Sequence, residues 1–275
     1  RFFGWRIGYC YAECTACHTI QLLPMPDAKM LAEAYAAEYS RAGHYQAAPD
    51  ARNREGRRVF EGVVDTLEAY LPERNSVVLD YGCGWGGLLD ELSRRGFHGE
   101  GADFSDEMIA YSQKRGKIVH HRPLEELEGD GRYDAVVMSA VFEHLPNPDL
   151  AMSHVGRLLR PGGLFVSFQP TGLFPLFFAD LMRLGIRRLP LPRLQQTLCS
   201  PWHVALYSLE GMRRLAVRNK FVVLEVRPGP VQQGRGLTGL VKDGLNAVNK
   251  AAWPRVGEKW PLCICHLFVM RKEGE

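Results

Sequence analysis

A glycine-rich segment between a predicted strand and a predicted helix constrains the fold of this chain more than any other feature. The segment reads VVLDYGCGWGG over residues 77–87, and a helical pattern follows from Leu88 to Gly96. Glycines let the backbone adopt positive φ and remove the Cβ atoms that would hold a ligand away from the N–H groups. The sequence therefore predicts a strand–loop–helix unit that presents a nucleotide-like ligand to backbone amides at the end of a strand.

Two classes of site fit this loop when it is taken alone. Gly82, Gly84 and Gly87 have the G-x-G-x-x-G spacing of dinucleotide-binding folds. Asp80 followed by Gly82, Gly84 and Gly86 fits equally well the acid-and-glycine loop of enzymes that use S-adenosylmethionine (SAM). The choice between the two classes depends on the segments that follow.

Beyond the loop, apolar runs and amphipathic patterns alternate along the chain. The predicted strands are 76–81, 98–104, 117–120, 135–139, 164–168, 221–226 and 263–271, and the predicted helices are 27–39, 54–71, 88–95, 106–114, 149–159 and 237–253. Such alternation is typical of right-handed βαβ crossovers and of a sheet covered on both faces. We predict a doubly wound α/β fold with a mostly parallel, Rossmann-like sheet of seven strands, the last of which is antiparallel.

The bulk composition is that of an ordinary globular protein. Of the 275 residues, 46% are hydrophobic and 24% are charged, and 34 Lys and Arg face 31 Asp and Glu to give a net charge of +3. This balance does not favour nucleic-acid binding, so no nucleic-acid partner is expected. No apolar run reaches about 18 residues and no signal peptide is visible, so we expect a cytoplasmic location. Because the chain begins at Arg1 rather than Met, we also expect a natural N-terminal piece to precede it.

Four segments in order resemble the class I SAM-dependent methyltransferases. They are the glycine loop at 77–87, GADFSDEMI at 101–109, YDAVVMSAVFEHLPNP at 133–148 and LLRPGGLFVSF at 158–168. The resemblance extends over residues 28–272. A dinucleotide-dependent dehydrogenase would explain the loop and Asp103 but neither of the last two segments.

The resemblance implies which residues hold the cofactor, SAM. Around Cys83, the backbone of Gly82 and Gly84 would approach the methionine portion, and Asp80 would receive its ammonium group. Asp103 would accept the ribose hydroxyls. For Asp80, a loop-bridging role is the alternative.

The adenine and the transferred methyl group have their own implied neighbours. Phe104 and Met108 would wall the adenine, although Met108 fits a helix core nearly as well. Relatives often have an acidic or amide residue after the third strand, where this chain has His121-Arg122-Pro123-Leu124, so backbone groups near Leu124 would replace that contact. The resemblance implies that Ser139 and Ala140 lie beside the methionine carboxylate or the methyl group.

Two histidines are candidates for the catalytic base, because methyl transfer needs a positioned nucleophile and a group that takes its proton. His203 precedes Tyr207-Ser208, a pattern found before the penultimate helix of related small-molecule methyltransferases. His144 lies in Glu143-His144-Leu145-Pro146, where a loop-ordering role is the alternative.

The N-terminal residues Cys14 and Cys17 resemble half of the zinc ribbon found on some methyltransferases of sugar pathways. A zinc ribbon needs two C-x-x-C pairs, and only one is present, with Cys10 as a third thiol. The alternative is a pair of ordinary buried thiols, and we assign no metal ligand from the sequence.

Together these features divide the chain into three parts. Residues 1–27 form the Cys-containing segment, residues 28–74 form N-terminal helices that cover the cofactor, and residues 75–275 form the SAM-binding domain with a lid insertion at 171–210. Within the lid, the apolar and basic stretch 172–194 is interpreted either as a substrate lid or as a peripheral membrane contact.

The predicted function is SAM-dependent methyl transfer to a small-molecule acceptor, namely a hydroxyl of a sugar, a quinone-like compound or a lipid-linked precursor. A non-catalytic SAM-binding scaffold and a protein or RNA methyltransferase are the alternatives.

Overall fold

The computed structural model describes residues 2–6, 9–27, 29–31, 33, 49–71, 73, 75–184, 203–230, 232 and 236–274. The strands are β1 Phe2–Arg6, β2 Tyr9–Glu13, β3 Ile20–Leu23, β4 Val77–Tyr81, β5 His98–Ala102, β6 Ile118–His120, β7 Tyr133–Ser139, β8 Leu159–Pro170, β9 Ala205–Leu206, β10 Phe221–Pro228 and β11 Cys265–Lys272. The helices are α1 Pro49–Tyr70, α2 Gly87–Arg94, α3 Asp106–Lys114, α4 Pro148–Leu158, α5 Leu173–Arg183, α6 Leu209–Arg218 and α7 Gly236–Val256, and 3₁₀ turns lie at Leu124–Glu126, Phe142–His144 and Gly257–Lys259.

Seven strands form the main sheet in the order β10-β11-β8-β7-β4-β5-β6. The β8-β7-β4-β5-β6 pairs are parallel, and β11 runs antiparallel to both β8 and β10. The predicted fold is therefore confirmed, including the direction of the last strand. Strand β8 is longer than predicted because it begins at Leu159 and contains the Pro161-Gly162-Gly163 stretch.

Apolar side chains cover both faces of this sheet, as a parallel sheet requires. On one face, Phe165 of β8 and Phe268 of β11 pack in a cluster with residues of α4 and α6. On the other face, Val166 and Val269 pack in a cluster with residues of α1 and α2. The interior of the sheet is thus buried on both faces, and the predicted site lies at the edge where its parallel strands end.

Short polar caps start two of the helices directly after strands or loops at this edge. Ser105 Oγ accepts a hydrogen bond from Met108 N at 3.3 Å and begins α3. Asn147 Oδ1 accepts from Leu150 N at 3.1 Å, with Pro148 in the first turn of α4. Both residues satisfy a backbone N–H that the helix cannot satisfy itself.

A second, smaller sheet has the order β1-β2-β3-β9 and was not expected from the sequence. Its strands are antiparallel, and β3 pairs with β9 through Ile20 opposite Leu206 and Gln21 opposite Ala205. The Leu22 amide also donates to the Val204 carbonyl at 2.9 Å. The N-terminal segment is therefore joined to the chain that leads into α6.

Several predictions fall on residues outside the described ranges. The predicted helix at 27–39 is described only at its start, where Asp27 Oδ1 accepts from Met30 N at 2.7 Å. Residues 34–48, and residues 185–202 of the predicted lid, lie outside the described part of the chain. Among the described residues, no helix is both long and apolar enough to span a membrane.

Candidate active site

The loop after β4 has the backbone conformation that its glycines predict. Gly82, Gly84 and Gly86 have φ values of 81°, 51° and 73°. A Cβ at Gly82 would overlap the Val141 side chain. At Gly84 a Cβ would meet nothing nearer than Met108 Sδ, at 3.9 Å. The loop therefore leaves open surface beside Gly84 where a ligand can reach the backbone, and the residues present fit the predicted cofactor cradle.

Asp103 joins this loop to the end of β5. Its Oδ2 accepts from Gly84 N at 2.8 Å, and its Oδ1 accepts from Phe104 N at 2.8 Å and from Ser105 N at 3.0 Å. Asp103 therefore bridges the loop to the chain that follows β5. Since a carboxylate has about four acceptor positions, the half-buried Asp103 retains capacity for a hydroxyl donor.

Asp80 and Cys83 lie deeper, behind the loop. Burial, together with the nearby charge of Asp103, raises the pKa of Asp80 to about 8. Burial also raises the pKa of the Cys83 thiol, which packs against Gly101. Because its thiol is buried, Cys83 can contact a ligand only through its backbone. A neighbouring cation would favour the ionised form of Asp80.

The side chains predicted to surround the adenine follow β5 and β6, with Met108 in α3 and Leu124 in the 3₁₀ turn after β6. Phe104 is 58% exposed and contacts the Tyr81 ring edge to face, with centroids 6.4 Å apart. Met108 is buried, yet it borders Gly84, so the core and ligand interpretations of this residue are compatible. The Leu124 side chain is buried in the core, which leaves its backbone as the part that could meet a ligand.

The end of β7 lies against the loop. Ser139 is half-buried, and the exposed Ala140 has a φ of 56°, with its amide donating to Phe168 O at 2.7 Å. This unusual conformation directs the chain into the 3₁₀ turn at Phe142–His144. Because Val141 contacts the Gly82 position, the turn begins next to the glycine loop.

The structure brings together the two predicted histidines. The ring centroids of His144 and His203 lie 4.9 Å apart with a 46° angle between the rings. The Val204 amide donates to the Glu143 carbonyl at 2.9 Å, which draws the His203 segment onto the 3₁₀ turn. Tyr11 Oη also donates to His203 O at 3.3 Å.

Glu143 lies beside these two histidines, although no sequence motif assigned it a role. Its side chain is 1% exposed, its Oε1 lies 3.8 Å from His144 Nε2, and burial raises its pKa to about 8. An acidic residue next to a histidine was visible in the sequence, but its burial depends on how the 3₁₀ turn packs. Only the tertiary structure reveals that.

A further polar group lies at the ends of β8 and β11. His266 Nδ1 lies 2.8 Å from Thr171 Oγ1, and Ser167 Oγ donates to Gln169 Oε1 at 2.8 Å. Within the described ranges, Gln169 Nε2 and His266 Nε2 find no hydrogen-bond partner. Burial lowers the pKa of His266 to about 3, so this ring stays neutral at physiological pH. No sequence motif surrounds Gln169 or His266, so neither residue could be assigned to a site before the structure.

The N-terminal thiols Cys14 and Cys17 lie in the turn between β2 and β3. Cys14 is exposed and Cys17 is half-buried, so the interpretation of both as buried thiols is wrong for Cys14. Backbone hydrogen bonds from Ala16 and Cys17 hold the pKa of Cys14 below its usual value. Among the described residues, neither thiol joins a group of three or more metal ligands.

Comparison with known proteins gives one family and one fold. A family model described as a methyltransferase domain matches residues 27–226. A ubiquinone biosynthesis O-methyltransferase of Dechloromonas aromatica is 32% identical over 108 residues, which cover 36% of this chain and 47% of that protein. The corresponding protein of Xylella fastidiosa is 34% identical over 113 residues, covering 38% and 46%. The matched part is thus about half the length of these curated relatives.

Solved structures extend the similarity to the whole chain. The 1,6-didemethyltoxoflavin-N1-methyltransferase of Burkholderia thailandensis, solved with 1,6-didemethyltoxoflavin and S-adenosylhomocysteine, covers 99% of both chains at 14% identity and a TM-score of 0.58. A putative sarcosine dimethylglycine methyltransferase of Galdieria sulphuraria covers 78% of this chain and 86% of its own at 18% identity, with a TM-score of 0.53. At these identities the likeness shows the fold.

Proposed function

This chain belongs to the methyltransferase domain family, and we propose that it transfers the methyl group of SAM to a hydroxyl of a small-molecule acceptor. The observation that carries the proposal is the carboxylate of Asp103 bonded to Gly84 N beside the open surface of the glycine loop. SAM supplies a methyl group on a sulfonium, so the bond to the acceptor oxygen forms as the bond to sulfur breaks.

The residues of the loop bind and orient the cofactor. The backbone at Gly82 and Gly84 meets the methionine portion, Asp103 accepts the ribose hydroxyls, and Asp80 meets the ammonium group. The burial of Asp80 supports this last role, because a neighbouring ammonium group would offset the cost of a buried carboxylate and favour its ionisation. Phe104 offers an exposed ring, and Leu124 its backbone, to the adenine.

Ser139 and Ala140 would border the methionine carboxylate or the transferred methyl group. The acceptor then lies beyond Ala140, against the 3₁₀ turn. There the imidazoles of His203 and His144 form a pair that takes the proton of the acceptor hydroxyl. The likeness to ubiquinone biosynthesis O-methyltransferases supports an oxygen acceptor of quinone-like type.

We also propose a cytoplasmic location and a lid that contacts the acceptor. The described cysteines are free, which supports a reducing compartment such as the cytoplasm. In helix α5, at the start of the lid, the Phe178 ring contacts the rings of both Phe174 and Phe177. These rings would offer an apolar wall to an aromatic or lipid-linked acceptor.

Calorimetric titration tests the proposal, with SAM and S-adenosylhomocysteine as ligands and NAD as the control. We expect both sulfur ligands to bind and NAD not to bind. Asp103→Ala should abolish or strongly weaken SAM binding, whereas Asp106→Ala, which removes an exposed carboxylate three residues away, should not. Unchanged SAM affinity in Asp103→Ala would show that the cofactor site is assigned wrongly.

A further inference from the structure

Three metal-ligating side chains converge next to the glycine loop: Glu143, His144 and His203. One ligand atom from each lies within 4.8 Å of the other two. We propose that they bind a divalent transition-metal cation of the Zn²⁺ type, which activates the acceptor hydroxyl. The inference rests on the proposed function for its catalytic role, although the site itself can be tested by metal binding alone.

The backbone holds all three ligands in place. Glu143 and His144 belong to the 3₁₀ turn whose first residue, Phe142, is fully buried against Phe165 and Tyr207, with centroid distances of 5.6 and 5.3 Å. His203 is fixed by its neighbour Val204. The Val204 amide donates to the Glu143 carbonyl, and its carbonyl accepts from the Leu22 amide, both at 2.9 Å. The third ligand is therefore positioned from two sides.

The burial of Glu143 supports a cation. Within the described ranges its Oε2 is buried and finds no hydrogen-bond partner. A buried carboxylate is costly unless a positive charge or hydrogen bonds compensate it. A cation next to Oε1 and Oε2 would supply that compensation, while the two imidazoles would bind it as neutral ligands.

The donor set indicates the class of metal. Two imidazole nitrogens and one carboxylate oxygen form a typical catalytic zinc site, which keeps a position open for water or substrate. In tetrahedral zinc sites neighbouring ligand atoms are about 3.4 Å apart, as follows from metal–ligand bonds of about 2.0–2.1 Å. Glu143 Oε1 and His144 Nε2 are 3.8 Å apart, so small side-chain rotations would close the site.

The three ligands lie next to the loop that would hold the cofactor, so a metal ion there could act on the acceptor hydroxyl. Val141, two residues before Glu143, contacts the Gly82 position of the loop that would hold the cofactor. An acceptor hydroxyl in the open position would be acidified by the metal. Its O–H bond breaks, the proton passes to water, and the electron pair stays on the oxygen that receives the methyl group. His203 then acts as a metal ligand rather than as a free base.

Metal titration of the intact chain tests the site directly. Because Cys14 and Cys17 could bind zinc themselves, the parent protein carries Cys14→Ser and Cys17→Ser. We expect one equivalent of Zn²⁺ or Co²⁺ to bind the parent protein, measured by calorimetry and by the Co²⁺ absorption spectrum. Variants His144→Ala, His203→Ala and Glu143→Gln should each bind at least tenfold more weakly.

A matched control and the cofactor titration separate the outcomes. His98→Ala removes an exposed histidine on β5 and should bind the metal like the parent protein. No stoichiometric metal binding, or equal binding in the three ligand variants, would overturn the metal site. Full methyl transfer after removal of metal by a chelator would overturn its catalytic role and leave the imidazole pair as the base. Failure to bind SAM would instead refute the proposed function, whatever the metal titration gives.

Discussion

Replacing Gly82 by alanine tests two reasons why the turn after β4 requires glycine, namely its positive φ and the close approach of Val141. Gly82 has a φ of 81°, in the left-handed region that disfavours residues with a Cβ. The added Cβ would also overlap Val141 Cγ2 and lie 3.4 Å from Val141 Cγ1. The substitution therefore combines a conformational cost with a steric one.

The two costs can be estimated and separated. A non-glycine residue in the left-handed region costs about 1–2 kcal/mol, and an overpacked methyl group costs about 1–3 kcal/mol. We expect Gly82→Ala to reduce the free energy of unfolding by about 2–5 kcal/mol. Gly116→Ala is the matched control, because Gly116 has a φ of 77° but nothing within 4 Å of a Cβ position. It should lose only the conformational part, about 1–2 kcal/mol.

Urea denaturation of the two variants gives these free energies directly. Adding Val141→Ala to Gly82→Ala removes the overlapping methyl group, so the cost of Gly82→Ala measured in that background should fall toward the Gly116→Ala value. Equal destabilisation by Gly82→Ala and Gly116→Ala in the wild-type background would refute the steric argument and the contact between the loop and Val141.

Three further predictions concern the site. Asp80 has a pKa of about 8 in the folded protein, against 3.8 for an ordinary aspartate, so between these pH values the folded state binds one proton more than the unfolded state. The stability of the ligand-free protein should therefore fall as the pH rises from 5 to 8. Urea titrations at several pH values should show a flatter fall for Asp80→Asn. His203→Gln should keep SAM affinity in calorimetry but lose turnover, whereas His98→Gln should keep both, and a fully active His203→Gln would remove this residue from the mechanism. Phe142→Ala should lower the free energy of unfolding by about 3–5 kcal/mol because the ring is fully buried. Phe104→Ala should weaken SAM binding with little loss of stability, because this ring is exposed. The reverse pattern would contradict the assignment of these rings.

The central part of the fold could be predicted because its signals are local. Strands β4, β7 and β8 contain apolar runs that the sequence shows directly. The helices between these strands start at a polar cap or at the glycine loop itself. The observed bounds of α2, at Gly87–Arg94, and of α4, at Pro148–Leu158, differ from the predicted ones by one residue. The resemblance implied a cofactor role for Asp103, and the structure places this residue directly after β5, bonded to the glycine loop.

Features that depend on distant contacts could not be predicted. Strand β9 has two residues, Ala205–Leu206, and no apolar alternation of that length specifies a partner. The burial of Glu143 follows from packing of Phe142 between Phe165 and Tyr207, which are far apart in sequence. The exposure of Cys14 follows from its place in the turn between β2 and β3.

The pairing of β3 with β9 makes the N-terminal segment and the segment of His203, on the proposed acceptor side of the site, thermodynamically interdependent. Any factor that orders the small sheet also restrains His203. By linkage, the free energy by which an ordered sheet strengthens the binding of a ligand at His203 equals the free energy by which that ligand stabilises the sheet. The family model begins at residue 27, after β3 has ended. A fragment trimmed to those limits would keep the glycine loop but would lose the strand that anchors Val204 through Leu22. Such a fragment should bind cofactor while handling the acceptor poorly.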